Sequence, residues 1–389
     1  MKVADVTVEQ LHDYNDKLSA VRSEAGNYFK KLARAEDLMK LGEEARKKAI
    51  YHAAVDAVNS FTDAAGSAAC DFFDAHVTDA RPSSIAPQPW FIKRRLYENI
   101  EKYAKTHKLG DDEFMRLLAE EVGGEVVQHA NRTTIHNAVK NNLCYARVPF
   151  GNSCAFCLML ASRGFVYKTE TTAGEDKGHY HARCRCKIVA GKKDTKIGDH
   201  NPEKLNQRMM QIAKELDITN FNWEDYISDK TMQDLLQREI RLRDENWLLT
   251  GKVPEPTYAS EKIKKSVTID NPWENRTALR LAQHGYKTDF IVDSKVIIEN
   301  GIKRRIGLPD FESGVEIKTI TTSNGAYGAV ENHLRKSEKK HGLKRVVIDN
   351  SESKLTDDDV IASIHKLKDT FDVPSIAVLT KDTGLKIIK

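Results

Sequence analysis

The sequence predicts a multidomain protein: a mainly α N-terminal region with a small Cys/His insert, then an α/β domain. Three observations carry this. Residues up to about Asn142 contain no strand-like run and place apolar side chains at helical spacing. Four of the six cysteines cluster between Cys154 and Cys186. After about residue 265 the texture alternates between strand and helix patterns. At 389 residues the chain exceeds one typical core. Its net charge is +4 with 30% charged residues, so any nucleic-acid function has to rest on a local site. No window reaches the apolar length that spans a bilayer, and Met1-Lys2-Val3-Ala4-Asp5 opens no secretory signal, so no membrane partner is expected.

Taken in order, the elements divide the chain into a helical region (1–143), a Cys/His-rich core (144–200), a helical segment (201–250), a linker (251–270) and an α/β domain (271–389). Thr7-Val8-Glu9-Gln10 reads as a capping box, followed by Leu11, Leu18, Val21, Tyr28 and Leu32 on one helical face. Ile50, Ala54, Ala57, Val58 and Phe61 repeat the pattern. Pro82, Pro87 and Pro89 break it, and helices resume at Trp90 and after Gly110-Asp111-Asp112. This region holds no catalytic constellation, so packing or assembly is its expected role. Trp223-Glu224-Asp225 opens a further helix, and Gly251 to Lys265 has linker composition.

The core region, short in regular structure, has Cys154-Ala155-Phe156-Cys157 as a C-x2-C knuckle and His181-Ala182-Arg183-Cys184-Arg185-Cys186 as further soft ligands. Tetrahedral zinc needs four such groups. Cys154, Cys157, His181 and one of Cys184 or Cys186 form the preferred set for a structural Zn²⁺. The alternatives are a reduced, partly buried cysteine group or a local disulfide. Nothing beside them supplies the open position of a catalytic metal. Together with Tyr145-Ala146-Arg147-Val148-Pro149 and Leu158-Met159-Leu160-Ala161-Ser162-Arg163-Gly164-Phe165-Val166-Tyr167, these strings resemble the core of phage head morphogenesis proteins, the MuF-like minor capsid proteins. The resemblance implies a virion protein near the portal, with phage portal and capsid proteins as partners, and nothing catalytic in this half.

The α/β domain opens on Asn271-Pro272-Trp273-Glu274, with Asn at N-cap, Pro at N1 and Glu at N3. Asn300-Gly301 joins two strands as a type I′ hairpin. Val315 to Ile320, Lys344 to Asp349, Ser375 to Thr380 and the tail from Leu385 read as strands, with helices over Ala326 to His341 and Thr356 to Thr370. The turn Glu312-Ser313-Gly314 folds Asp310 opposite Glu316, and Glu316 and Lys318 leave one strand face together. Two close carboxylates repel, which a divalent cation relieves, and a lysine beside them orients water or neutralises a phosphate. The plainer alternative is a hairpin with a solvated charged face.

The order of elements resembles the PD-(D/E)xK nuclease fold, and more narrowly the tRNA nuclease domain of contact-dependent growth inhibition toxins. Pro309-Asp310 matches the Pro-Asp of that motif and Glu316-Ile317-Lys318 its E-x-K, although the spacing between Asp310 and Glu316 is short for the superfamily. The resemblance implies that Glu274, Asp310 and Glu316 bind Mg²⁺ or a similar ion and that Lys318 assists water attack. Thr319 falls where these domains carry a further polar residue. The basic run Arg335-Lys336, Lys339-Lys340, His341 and Lys344-Arg345 suits phosphate contact, with Lys336 and Lys340 foremost, and Tyr327 is placed to stack a base. The expected function is thus a phage minor head protein with a metal-dependent nuclease acting on nucleic acid, tRNA favoured, in the bacterial cytoplasm, and with an immunity protein as a further partner. A DNA-cutting nuclease and a purely structural head protein remain the alternatives.

Overall fold

Thr7 opens helix α1 (Val8–Ala33): its hydroxyl accepts from the Gln10 amide at 3.1 Å, and the Gln10 side chain accepts from the Thr7 amide at 2.9 Å. The computed structural model describes the whole chain except residues 35–37, 39, 88, 152, 170–184, 220, 222–228, 300–301 and 323–324 and the side chains of 89–93 and 302. It forms two compact units, Met1–Glu203 and Lys204–Lys389.

In the first unit α1, α2 (Glu43–Asp74) and α4 (Asp112–Lys140) pack on one another, and α3 (Pro89–Ala104) packs against α2 and α4. Helix α4 is buried around most of its circumference, as a central bundle helix must be, and its Leu118, Val122, Val126 and Ala130 fill the core. Its buried carboxylates are compensated: Glu125 pairs with Arg95, and Glu121 accepts from Tyr103 and from Asn99 at 2.9 Å. Two-residue strands β1 (Lys2–Val3) and β2 (Val77–Thr78) pair within this otherwise helical region. The Cys/His-rich stretch has more regular structure than expected. Strands β3 (Cys144–Val148) and β4 (Lys187–Gly191) form an antiparallel ladder, with helix α5 (Ala155–Ala161) between them.

The second unit begins within α6 (Pro202–Glu215), which is followed by α7 (Lys230–Leu242) and α8 (Glu245–Thr250). Trp223-Glu224-Asp225 lies outside the described residues. The expected linker is folded instead: β5 (Thr257–Tyr258) pairs with β6 (Asp289–Phe290), and α9 (Glu261–Lys265) runs into a π-helical turn at Ser266–Asp270. The cause is apolar, because Tyr258 stacks on Phe290 at 5.5 Å and Ile263 packs on the same core. Helix α10 (Pro272–Gln283) has Pro272 at N1 and is followed by Gly285 at φ +79°. Strands β7 (Ser294–Glu299) and β8 (Ile302–Gly307) form the expected hairpin, its Asn300-Gly301 tip outside the described residues.

A four-stranded sheet ordered β12–β11–β10–β9 follows. Strands β9 (Val315–Thr319), β10 (Arg345–Asp349) and β11 (Ile376–Leu379) are parallel, and β12 (Leu385–Ile387) is antiparallel. Helices α11 (Ala326–Ser337) and α12 (Asp357–Leu367) make the crossovers. One sheet face, Val315, Ile317, Val347 and Ala377, packs with Ala278 and Leu281 of α10. The other, Val346, Ile348, Ile376 and Val378, packs with Val330 and Leu334 of α11 and Val360 and Ile364 of α12. Helix α11 ends short of the expected His341, whose amide instead donates to Gly307 O at 2.8 Å.

A buried ionic network binds the early helices of this unit to its sheet. Glu239 of α7 accepts from Arg345 of β10 at 2.6 Å, Arg345 donates to Ser375 at 3.0 Å, and Arg243 pairs with Glu215 at 2.5 Å. Arg345, counted from sequence within a phosphate-gripping basic run, is therefore internal. Among the described residues no helix is long and apolar enough to cross a membrane.

Candidate active site

Strand β9 lies at the sheet edge with β10 as its ladder neighbour. The turn before it is tight: Phe311 N donates to Val315 O at 3.0 Å and Gly314 N to Phe311 O at 3.0 Å. Gly314 has φ +88°, and a Cβ there would lie 2.8 Å from Gly342 O, so glycine is required. Phe311 anchors the turn, edge-on to Phe290 at 4.8 Å. Asp310 is thereby carried to the free edge, where its Oδ2 accepts from the Ile317 amide at 2.7 Å.

Glu316 and Lys318 share the face covered by α11 and α12, as their register with Val346 and Ile348 requires. Lys318 Nζ lies 2.5 Å from Glu316 Oε1 and 4.0 Å from Asp310 Oδ2, so the two carboxylates cannot be farther apart than those distances combined. Lys340 Nζ approaches Glu316 Oε1 at 3.5 Å. Backbone carbonyls pin both ammonium groups, Lys318 by Ile317 O at 3.0 Å and Lys340 by Leu308 O at 2.9 Å. Glu316 is fully buried, and its Oε2 accepts no hydrogen bond. A buried carboxylate oxygen without a donor is costly and marks a place built for something else.

The electrostatics match this crowding. Burial, reinforced by the Glu316 and Glu274 carboxylates, pushes Asp310 up to about 7 against the pull of Lys318 and the Ile317 amide. Burial also raises Glu274, with Asp293 and Glu316 adding to it and Lys318 and Lys340 opposing. Burial alone lowers an ammonium, but Asp310 and Glu316 outweigh it and hold Lys318 above the ordinary lysine range. The N-cap side chain of α10 makes no capping bond, so Glu274 is not part of a capping box.

Glu274, Asp310, Glu316, Lys318 and Lys340 are thus brought within electrostatic reach of one another. Thr319 is not among them: it faces α10, where its hydroxyl meets Thr277 Oγ1 at 3.0 Å, and Thr277 donates to buried Asp349 at 2.6 Å. Tyr327 and Lys336 lie exposed on α11. Two residues escaped the sequence reading. Asp293 adds a charge felt by Glu274. His333 of α11 has a buried Nδ1 without a hydrogen-bond partner, and burial followed by the Lys318 and Lys336 charges lowers it to about 4. Its position beside the apolar Val330 and Leu334 was the available signal.

The cysteines behave differently. Cys157 and Cys186 are buried together, with Cys154 and Phe156 packed against them, and His181 and Cys184 lie outside the described residues. Among the described residues no group of three or more His, Cys, Asp or Glu side chains is arranged to hold a metal ion, here or on β9. What the described residues form around Cys157 is an apolar cluster.

No curated protein and no solved structure matches the chain. A family model does: residues 5–212 match the model described as VG15 protein. That match spans the first unit and more than half of the sequence, and so the chain belongs to the VG15 protein family, a phage-associated family.

Proposed function

We propose that the second unit is a metal-dependent nuclease that hydrolyses phosphodiester bonds, with transfer RNA its favoured substrate, carried by a minor head protein of MuF-like type. The observation that carries the reading is the convergence of Asp310 and Glu316 with two pinned ammonium groups at one buried sheet edge. Mg²⁺ is commonly held by one or two carboxylates together with substrate phosphates. The open Oε2 of Glu316 and the crowded Asp310 carboxyl fit that donor set. Asp310 and Glu316 would hold the ion, with Glu274 the third candidate. When bound, Mg²⁺ neutralises phosphate charge and makes a coordinated water more acidic.

The chain's own groups have separable tasks. Asp310 must be ionised to act as a ligand, and its hydrogen bond from Ile317 fixes the carboxylate against β9. Lys318, kept charged by its carboxylate neighbours, stabilises negative charge growing on the phosphate oxygens. Lys340 adds a second cation near the same Glu316 oxygen. The family match over residues 5–212 supports placing the first unit in the virion, where portal and capsid proteins would be its partners. Incubating the full chain with total tRNA and with plasmid DNA, in Mg²⁺ and in EDTA, tests the reading. Cleavage of tRNA in Mg²⁺ alone is expected, and no cleavage of either polymer refutes it.

A further inference from the structure

The β7–β8 hairpin forms a sheet of its own, and no described residue of either strand is buried. Ile298 is the most exposed large apolar side chain among the described residues at 71%, and Val296 is 63% exposed. The register sets Val296 opposite Arg305 and Ile298 opposite Lys303, so these four side chains leave one face together. A two-stranded ribbon has little stability of its own, and β-branched side chains left this open on it are retained where something covers them.

Charge selects the occupant. From Ser294 to Gly307 the ribbon carries Lys295, Lys303, Arg304 and Arg305 against the single acid Glu299. Glu299 pairs with Arg304 at 3.3 Å, and Arg305 Nε donates to Ser294 Oγ at 2.8 Å, which leaves the Arg305 charge unneutralised. Lys295 and Lys303 have no ion pair among the described residues. The face is also small. Six residues at about 3.4 Å each on two strands about 4.8 Å apart give a surface near 20 Å by 10 Å, about 200 Å². A stable protein partner covers roughly 800 Å² on one side. The root of the ribbon is tied to the β9 centre: Leu308 N donates to Asp293 O at 2.7 Å, Ile291 N to Asp310 O at 3.0 Å, and His341 N to Gly307 O at 2.8 Å.

We infer that this ribbon grips an unpaired loop of an RNA substrate, with Val296 and Ile298 against splayed bases and Lys303 and Arg305 against the flanking phosphates. Unpaired bases offer apolar faces beside charged phosphates, the same alternation that the ribbon presents, whereas a duplex hides its bases and offers phosphates alone. This role rests on the nuclease activity proposed for β9 and names the part of the substrate held beside it.

The test uses the full chain in EDTA with a fluorescent RNA stem-loop and a blunt RNA duplex of equal phosphate number, followed by anisotropy over a range of salt. The stem-loop should bind more tightly. Val296→Ser with Ile298→Ser, at exposed positions, should weaken the stem-loop about tenfold and leave the duplex unchanged. Lys303→Ala with Arg305→Ala should lower the log–log salt slope for the stem-loop by about 1.4, at about 0.7 for each lost contact. Equal wild-type affinity for stem-loop and duplex overturns the ribbon's role, as does unchanged stem-loop binding in either double variant. A dimer of the free chain that Val296→Ser with Ile298→Ser dissolves also overturns it, because a second copy would then cover the face. Displacement of the stem-loop by polyglutamate as readily as by tripolyphosphate does the same, and points to an acidic protein. In Mg²⁺ the two claims separate. Wild-type cleavage of tRNA matched by both double variants refutes the ribbon alone, and loop-selective binding without any cleavage refutes the nuclease activity alone.

Discussion

Replacing Glu239 by alanine strips a buried guanidinium of its counter-ion. Arg345 is 2% exposed and gives two donors to the Glu239 carboxylate, leaving Ser375 and Tyr286 as its remaining partners. Orphaning one member of a buried pair costs about 3–5 kcal/mol. An exposed pair such as Arg335 with Glu331 is worth at most about 1 kcal/mol. At roughly 2–4 °C per kcal/mol for a unit of this size, the melting temperature of the second unit should fall by about 6–20 °C. Hydrogen exchange at the β10 and β11 amides isolates that unit from the first. The double change Glu239→Leu with Arg345→Met should cost less than Glu239→Ala alone, because no Arg345 charge is then left buried without its counter-ion, while Arg243 keeps Glu215. A loss below about 1 kcal/mol, or a double variant as damaged as the single one, would refute the reasoning. Function should follow: Arg345 pairs with Val315 at the start of β9, the strand that carries Glu316 and Lys318.

Three other outcomes are expected. Thr319→Ala should cost about 1 kcal/mol through the lost bond to Thr277 and leave cleavage unchanged, checked by melting and by rate. Mg²⁺ at about 100 times its dissociation constant should stabilise the second unit by about 2.7 kcal/mol, and Asp310→Asn should abolish the shift. The first unit should weaken in acid, because burial lowers His129 and His200 to about 4 and lowers His76. Their unfolded forms take up protons first, so that stability is present above about pH 6.5 and fades as pH falls toward 4. Denaturant midpoints at pH 7.5 and 5 check this, and His129→Gln with His200→Gln should flatten the slope.

What could be read in the sequence was local. The Thr7–Gln10 box, the Pro272 helix start and the Asn300-Gly301 hairpin each depend on residues a few positions apart. The pairing of Asp310 with Glu316 and Lys318 needed only a turn and a two-residue period. What escaped was long-range. The Glu239–Arg345 pair joins positions 106 residues apart, so the segment before residue 250 looked separate from the sheet it braces. Thr319 sits one position after Lys318 and faces the opposite side of the sheet, a consequence of the same period that a motif match overlooks. Lys340 could be named as a phosphate ligand, but its approach to Glu316 depends on how α11 ends against Gly307. The zinc expectation depends on His181 and Cys184 as well as Cys154, Cys157 and Cys186, and the first two lie outside the described residues.

Cleavage by Asp310→Asn, measured beside its melting temperature at pH 8, tests the central claim most directly. Burial raises the folded pKa of Asp310, so the folded state holds a proton between pH 3.8 and about 7 that the unfolded chain has released. Stability therefore falls as pH rises through that window, and the full penalty is present above it. Asparagine keeps the acceptor for Ile317 and removes the charge. The variant should lose at least about 100-fold in tRNA cleavage while melting at or above the wild-type temperature. Cleavage at the wild-type rate, or a loss of activity that merely tracks unfolding, would contradict it.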